Sequence, residues 1–338
     1  MRAVSYRAVG EPATLGEVDE PACPDDGIVV TVRATGVCRS DWHAWQGHEE
    51  VALPHVPGHE YAGTVAEVGR EVTTLAVGDR VTVPFVLGCG LCTYCRQGDA
   101  QVCPDQLQPG FTLPGSFAER VAVPRADANV VHLPDEVSYA AAAALGCRFA
   151  TAYRAVVSHG LLDAGQWLVV FGCGGVGLSA VMIAVARGAR VVAVDVRSDA
   201  LEAARDLGAE ITLAADTDVA RQIQEKTGGA NVGIDAIGDP IAAATSVASL
   251  RPRGRHVQVG LLVGEHACTA LPMDLVVGRE LAVLGSHGMP AVDYPELLGL
   301  VAEGRLRPDQ LITRRIGLEE AGRALAEMSG PGITLVEP

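Results

Sequence analysis

The stretch from Val169 to Asp195 constrains the fold of this 338-residue chain more than any other. An apolar run ends at Phe171, a glycine-rich turn follows, then a segment of helical period, then a second apolar run closing on an acid. This is a βαβ unit carrying G-x-G-x-x-G at Gly172, Gly174 and Gly177, with Asp195 eighteen residues beyond the last glycine. Gly172 allows the tight turn, Gly174 lets the backbone approach a pyrophosphate, and Gly177 lets helix and strand pack closely. The helix opening at Gly175 and Val176 offers unpaired N–H groups and the positive end of its dipole to phosphates. At the end of the second strand, Asp195 can accept two hydrogen bonds from a ribose diol. Glycines in this spacing also mark ordinary turns. Strand before, helix after and acid in place together predict a dinucleotide site.

Length predicts two domains, and a hydrophobic content of 49% is ample for their cores. A net charge of −15 argues against nucleic acid or an anionic membrane as partner, because both would be repelled. Lys226 is the single lysine, so any anion clamp rests on arginine and Schiff-base chemistry is nearly excluded. The start MRAVSYRAVG lacks the apolar core of a signal peptide, and no apolar run is long enough to span a bilayer. The expectation is a cytoplasmic protein whose nine cysteines are metal ligands or thiols rather than disulfides.

Residues 1–148 read as short strands split by glycine and proline, at 27–37, 62–69, 79–85 and 117–124, which suggests a compact antiparallel barrel. An alanine-rich helix near 139–144 marks the approach to a border. Over 149–287 strands and helices alternate, with strands expected at 167–172, 189–195, 232–238, 256–262 and 280–286, predicting a doubly wound α/β sheet. Residues 288–338 carry a helix at 294–306, a strand at LITRRI and a helix at 318–328, expected to return to the first domain.

Cys89, Cys92, Cys95 and Cys103, in a lobe spanning 88–104, read C-x2-C-x2-C-x7-C. Four thiolates so close in sequence can surround one tetrahedral zinc at ~2.3 Å, leaving no open position, so the ion would be structural. An iron–sulfur cluster is the rival, since Pro104 follows Cys103, but that run wants a shorter last gap. Cys38, His59 and Cys147 offer two thiolates and an imidazole, the set for a catalytic zinc with a vacant fourth position. Taken singly these three have plainer readings, a small core hydrophobe or a satisfied core histidine. Cys23, Cys173 and Cys268 read as structural.

The chain resembles the zinc-dependent alcohol dehydrogenases of the medium-chain dehydrogenase/reductase family over essentially its whole length. The resemblance is carried by GVCRSDWH at 36–43, PGHE at 57–60, the four-cysteine lobe, and Gly146-Cys147 ahead of the dinucleotide motif. It implies a GroES-like catalytic domain interrupted by a Rossmann domain. By motif position, Cys38, His59 and Cys147 match the catalytic zinc ligands, and Glu60 an acid beside the metal that can transiently ligate it. Asp41 matches an acid that orients a ligating imidazole, Ser40 the hydroxyl that takes the substrate proton, and His43 the outer end of the relay. Arg39 matches a residue at the cofactor pyrophosphate and Thr151 one near the nicotinamide, while Trp45 and Phe85 sit where the family lines its substrate pocket.

The resemblance further implies two zinc ions per chain, NAD(H), a small alcohol or carbonyl substrate, and a homo-oligomer, tetramer rather than dimer. Asp195 would repel a 2′-phosphate by about 1–4 kcal/mol, with Arg197 softening that penalty, so NAD is expected over NADP. Ala200 and Gly332-Ile333 replace cationic family contacts to the cofactor. Polyol, formaldehyde and threonine dehydrogenases share the pattern. A zinc-free quinone or enoyl reductase would lack the Cys/His/Cys set. A non-catalytic zinc-braced dinucleotide binder would not need an open metal site. With apolar Trp42, Trp45 and Phe85, uncharged alcohols and ketones are the expected substrates.

Overall fold

The apolar run Ile28–Val37 is the central strand of the first sheet in the computed structural model, which describes residues 1–328 and 330–338. Two units separate: one holds Met1–Ala150, the segment from Gly288, and Ile333–Pro338; the other holds Thr151–His287 with Gly330–Gly332.

In the first unit a seven-stranded sheet runs Ile312–Gly317, Ile333–Glu337, Ile28–Val37, Glu60–Val68, Arg80–Thr82 and Val131–His132, with Arg120–Val123 beside Ile28–Val37. The register pairs Gly36 with Glu60, which sets two site segments side by side. Ile28, Val30, Val32, Tyr61, Val65 and Val81 form one core of this unit. The helix Leu318–Glu327 buries Leu318, Ala321 and Leu325, at helical spacing, against Val4, Val37, Phe117 and Val336. A separate two-stranded sheet pairs Arg2–Ser5 with Thr14–Glu17.

The second unit is one parallel sheet in the order Ile211–Ala214, Arg190–Asp195, Trp167–Phe171, Ala230–Asp235, Leu250–Gln258, Ala282–Gly285. In chain order that is 3-2-1-4-5-6, the doubly wound dinucleotide-binding arrangement, whose crevice opens beyond the carboxyl ends of the central strands. The helix Gly175–Ala186 is buried along most of its length, as its nearly uniform apolarity requires. Pro240–Ala248 starts with proline in its first turn, capped by Asp239, whose carboxylate accepts from Ile241 N and Ala242 N at 2.9 and 3.0 Å.

Several boundaries differ from the sequence-based expectation. The strand expected at 256–262 begins at Leu250 instead, running through Arg-Pro-Arg-Gly-Arg, whose first three residues are exposed and which hides it from an apolar pattern. Arg80–Thr82 is shorter than 79–85. Strands Ile211–Ala214 and Ile333–Glu337 and helices Val219–Thr227 and Pro240–Ala248 were not anticipated. Among the described residues no helix is long and apolar enough to cross a membrane.

Candidate active site

Cys38 follows the strand Ile28–Val37 and is the N-cap of the short helix Arg39–Trp45. Asp41, in the first turn and fully buried, reaches back: its Oδ2 accepts from Cys38 N at 3.0 Å, and its Oδ1 from Gly58 N at 2.9 Å and His59 Nδ1 at 2.8 Å. Three donors thus converge on one carboxylate. The contact places the His59 proton on Nδ1 and turns Nε2 away from the acid. That Nε2 is buried and has no hydrogen-bond partner among the described residues, which costs about 1–3 kcal/mol unless something else takes its lone pair. Cys147 sits in a π-helical turn, Leu145–Phe149, between the helices Tyr139–Ala144 and Ala150–Arg154. Such a turn inserts an extra residue and re-aims side chains.

The donor atoms of Cys38, His59, Glu60 and Cys147 all lie within 4.8 Å of one another. The Cys38 thiol is held well below its usual value by a hydrogen bond from the Cys147 thiol and by the nearby Arg148 charge. Two soft sulfurs, one readily ionised, and an orphaned imidazole nitrogen fit a zinc ion that keeps a position open. Glu60 is engaged elsewhere: Oε1 accepts from the backbone N–H of Cys147 and of Arg148, both at 3.1 Å, and from Arg148 Nε at 2.9 Å, while Oε2 pairs with Arg148 Nη2. Burial works against the Arg148 charge, but Glu60 and Cys38 hold the guanidinium firmly protonated. Sequence reasoning passed over Arg148. Its only signal was adjacency to Cys147.

Ser40 Oγ lies 3.9 Å from Cys38 Sγ. His43 is half-buried, its Nδ1 2.9 Å from Nδ1 of the exposed His48. Burial, aided by the His48 and Arg39 charges, keeps the His43 imidazole below its ordinary 6.5. Arg39 is exposed, its guanidinium 5.1 Å from the centre of the Trp42 ring. The rings of Phe85 and Phe111 stand 5.9 and 5.0 Å from the His59 ring, so Phe111 joins Phe85 although the sequence did not single it out. The Trp45 indole N–H donates to Glu11 O at 2.6 Å, and its ring packs on the core of Val4, Val37 and Phe117.

In the four-cysteine lobe, Cys92 caps the short helix Thr93–Arg96. Backbone N–H groups point at the sulfurs: Leu91 and Cys92 donate to Cys89 Sγ at 3.4 and 3.3 Å, Cys95 to Cys92 Sγ at 3.5 Å, and Cys89 to Cys103 Sγ at 3.3 Å. The Leu91 and Cys92 amides pull the Cys89 thiol down to about 6. Sulfur separations of 3.5, 3.8 and 4.0 Å bracket the ~3.8 Å expected of four thiolates around one zinc. No disulfide forms among the described cysteines.

In the second unit the three motif glycines have three different surroundings. Gly172 has φ +90°, and a Cβ there would run into Ile237. A Cβ on Gly177 would overlap the Gly172 carbonyl, whereas one on Gly174 would meet nothing within 4 Å. No side chain caps the helix opening at Gly175 and Val176, so its first N–H groups are available to an anion. Asp195 accepts from Cys173 N at 2.6 Å and Arg197 N at 2.9 Å. The Arg197 guanidinium is turned to Asp199, Nε to Oδ1 at 3.0 Å. Val196 and Ile237 are 81% and 54% exposed, apolar side chains beside the acid and the Gly172 turn that sequence reasoning did not pick out. Thr151 opens this unit and is buried; Arg39 belongs to the other.

Comparison with known proteins agrees with this geometry. Residues 24–135 match the family model of the alcohol dehydrogenase GroES-like domain, and residues 175–303 that of the zinc-binding dehydrogenases. An alcohol dehydrogenase of Geobacillus stearothermophilus is 36% identical over 312 residues, 91% of this chain and 90% of the relative. An NAD-dependent alcohol dehydrogenase of Sulfurisphaera tokodaii is 34% identical over 96% of this chain and 95% of its own length. The solved structure of an alcohol dehydrogenase from Thermus sp. ATN1 superposes with a TM-score of 0.92 at 30% identity, covering 100% of this chain and 99% of that one. The chain therefore belongs to the zinc-dependent alcohol dehydrogenases of the medium-chain dehydrogenase/reductase family and is an oxidoreductase.

Proposed function

We propose that this enzyme interconverts an uncharged alcohol and its ketone or aldehyde with NAD(H), using one catalytic and one structural zinc per chain. The observation that carries the reading is His59 Nε2, buried and unpartnered, gathered with the Cys38 and Cys147 sulfurs within 4.8 Å. When bound, the metal supplies Lewis acidity toward a hydroxyl or carbonyl oxygen, and the nicotinamide supplies the hydride acceptor or donor. Cys38, His59 and Cys147 hold the metal, and Asp41 fixes the tautomer of His59. The Ser40 hydroxyl takes the substrate proton, and His43, neutral at pH 7, releases it toward solvent, with His48 in contact. Phe85 and Phe111 keep the surroundings of His59 apolar. Cys89, Cys92, Cys95 and Cys103 hold the second ion as a brace.

In the dinucleotide unit, Gly172, Gly174, Gly175, Val176 and Gly177 receive the pyrophosphate and Asp195 the ribose, with Arg39 and Thr151 as further cofactor contacts. Val196 and Ile237 offer apolar faces to the adenine. The Arg197–Asp199 pair supports NAD over NADP, since it draws the guanidinium away from a 2′-phosphate. The two units correspond to a catalytic and a cofactor domain. The enzyme is read as cytoplasmic and as a homo-oligomer, tetramer favoured; the assembly is supported by the sheet edge at Ala282–Gly285, where Val283 is 41% exposed, and by the exposed Val277 of the helix Met273–Gly278. The test is zinc content together with NADH formation or consumption on a panel of alcohols, ketones, aldehydes and polyols. Two zinc ions per chain are expected, with removal of the more labile one abolishing turnover. A single ion and no alcohol-dependent NADH would overturn the reading.

A further inference from the structure

Arg148 is a buried charge, 6% exposed, for which the chemistry above has no task. Its guanidinium takes both oxygens of Glu60, and Glu60 Oε1 also accepts the backbone N–H groups of Cys147 and Arg148 at 3.1 Å. Four donors therefore meet one carboxylate, and two of them are the peptide groups that carry the Cys147 ligand. The surroundings are cut to fit this arrangement. A Cβ on Gly36 would overlap the Glu60 carboxylate and lie 3.0 Å from Arg148 Nη2, and a Cβ on Gly146 would come within 2.6 Å of Glu60 Cβ. On the other side of the same turn, the fully buried Tyr294 donates its hydroxyl to Gly146 O at 3.2 Å.

An acid that swings onto a metal needs an uncommitted oxygen and room to rotate. Glu60 has neither. We infer that Glu60 and Arg148 form a fixed clamp that sets the position of Cys147 and holds Glu60 off the metal, both acting as positioning residues rather than ligands. The inference rests on the reading that Cys38, His59 and Cys147 bind zinc. Each half of the clamp requires the other, because either charge alone would be left buried and uncompensated.

The test uses full-length zinc-loaded protein and follows release of the labile zinc to a chelator, with the four-cysteine zinc as internal reference. Glu60→Gln and Arg148→Gln should each speed release by roughly tenfold or more, the usual effect of losing a group that orients a ligand. The double variant should release zinc no faster than the quicker single one, and Arg148→Lys should restore part of the loss. Cobalt-substituted wild type and Glu60→Gln should share the visible spectrum of a four-coordinate site, since Glu60 is not a ligand. If Arg148→Gln slows release, or the wild-type cobalt spectrum carries the weaker bands of a fifth ligand that Glu60→Gln removes, Glu60 is a ligand rather than part of a clamp and the inference is overturned. Unchanged release in Arg148→Gln overturns it as well. Should Arg148→Gln not fold, Tyr294→Phe carries the same expectation at the other side of the turn, a several-fold faster release, and an unchanged rate there counts against the clamp. A wild type holding only one zinc would overturn the metal-centre reading itself, an outcome distinct from two zincs with unaltered release.

Discussion

Asp195 already accepts two backbone N–H groups, from Cys173 and Arg197, so its oxygens are oriented before any ligand arrives. Its remaining lone pairs suit a diol and repel a phosphate. The sequence raised Arg197 as a counterweight; the structure turns that guanidinium to Asp199 instead. Asp195→Gly should therefore lower the ratio of kcat/KM for NAD over NADP by at least about fivefold, in line with a repulsion of roughly 1–4 kcal/mol. Steady-state kinetics with both cofactors checks this, and an unchanged ratio would show that another group selects. The same contrast holds at the metal. Cys38, His59 and Cys147 could be named from their motifs, whereas Arg148 could not, because nothing local links it to an acid 88 positions away.

Gly172, Gly174 and Gly177 belong to one turn and helix yet answer to different forces. At Gly177 the backbone itself is in the way of a side chain, and at Gly174 there is open space. Gly177→Ala should cost the unliganded protein several degrees in Tm, since strand and helix must move apart. Gly174→Ala should leave the unliganded Tm nearly unchanged while weakening NAD(H) binding about tenfold or more, the methyl standing where the pyrophosphate approaches. Differential scanning calorimetry and fluorescence titration with NADH separate the two effects; a large Tm loss in Gly174→Ala would mean the glycine serves the fold alone. Elements were legible where burial made them apolar, as in Trp167–Phe171, and were missed where charge faced solvent, as at the start of Leu250–Gln258. The π-helical turn carrying Cys147 left no trace either, since its residues continue an alanine-rich helical pattern.

For the whole molecule, the outer strand Ala282–Gly285 is paired on one side only among the described residues, and Val283 and Val277 are exposed. In the proposed assembly this edge meets another subunit. Val283→Lys should shift the protein toward smaller species in light scattering behind size exclusion, with zinc content unchanged. An unaltered mass would place the contact elsewhere. The α/β architecture and the family could be read from the order of motifs along the chain, because the spacing of glycines, cysteines and apolar runs is a local property that survives without coordinates. Closure of the first sheet by Ile333–Glu337 against Ile28–Val37, the Glu60–Arg148 pairing and the orphaned His59 nitrogen depend on side chains far apart in the chain meeting in one buried place. Such encounters are selected by packing and desolvation, which act only once the chain has folded.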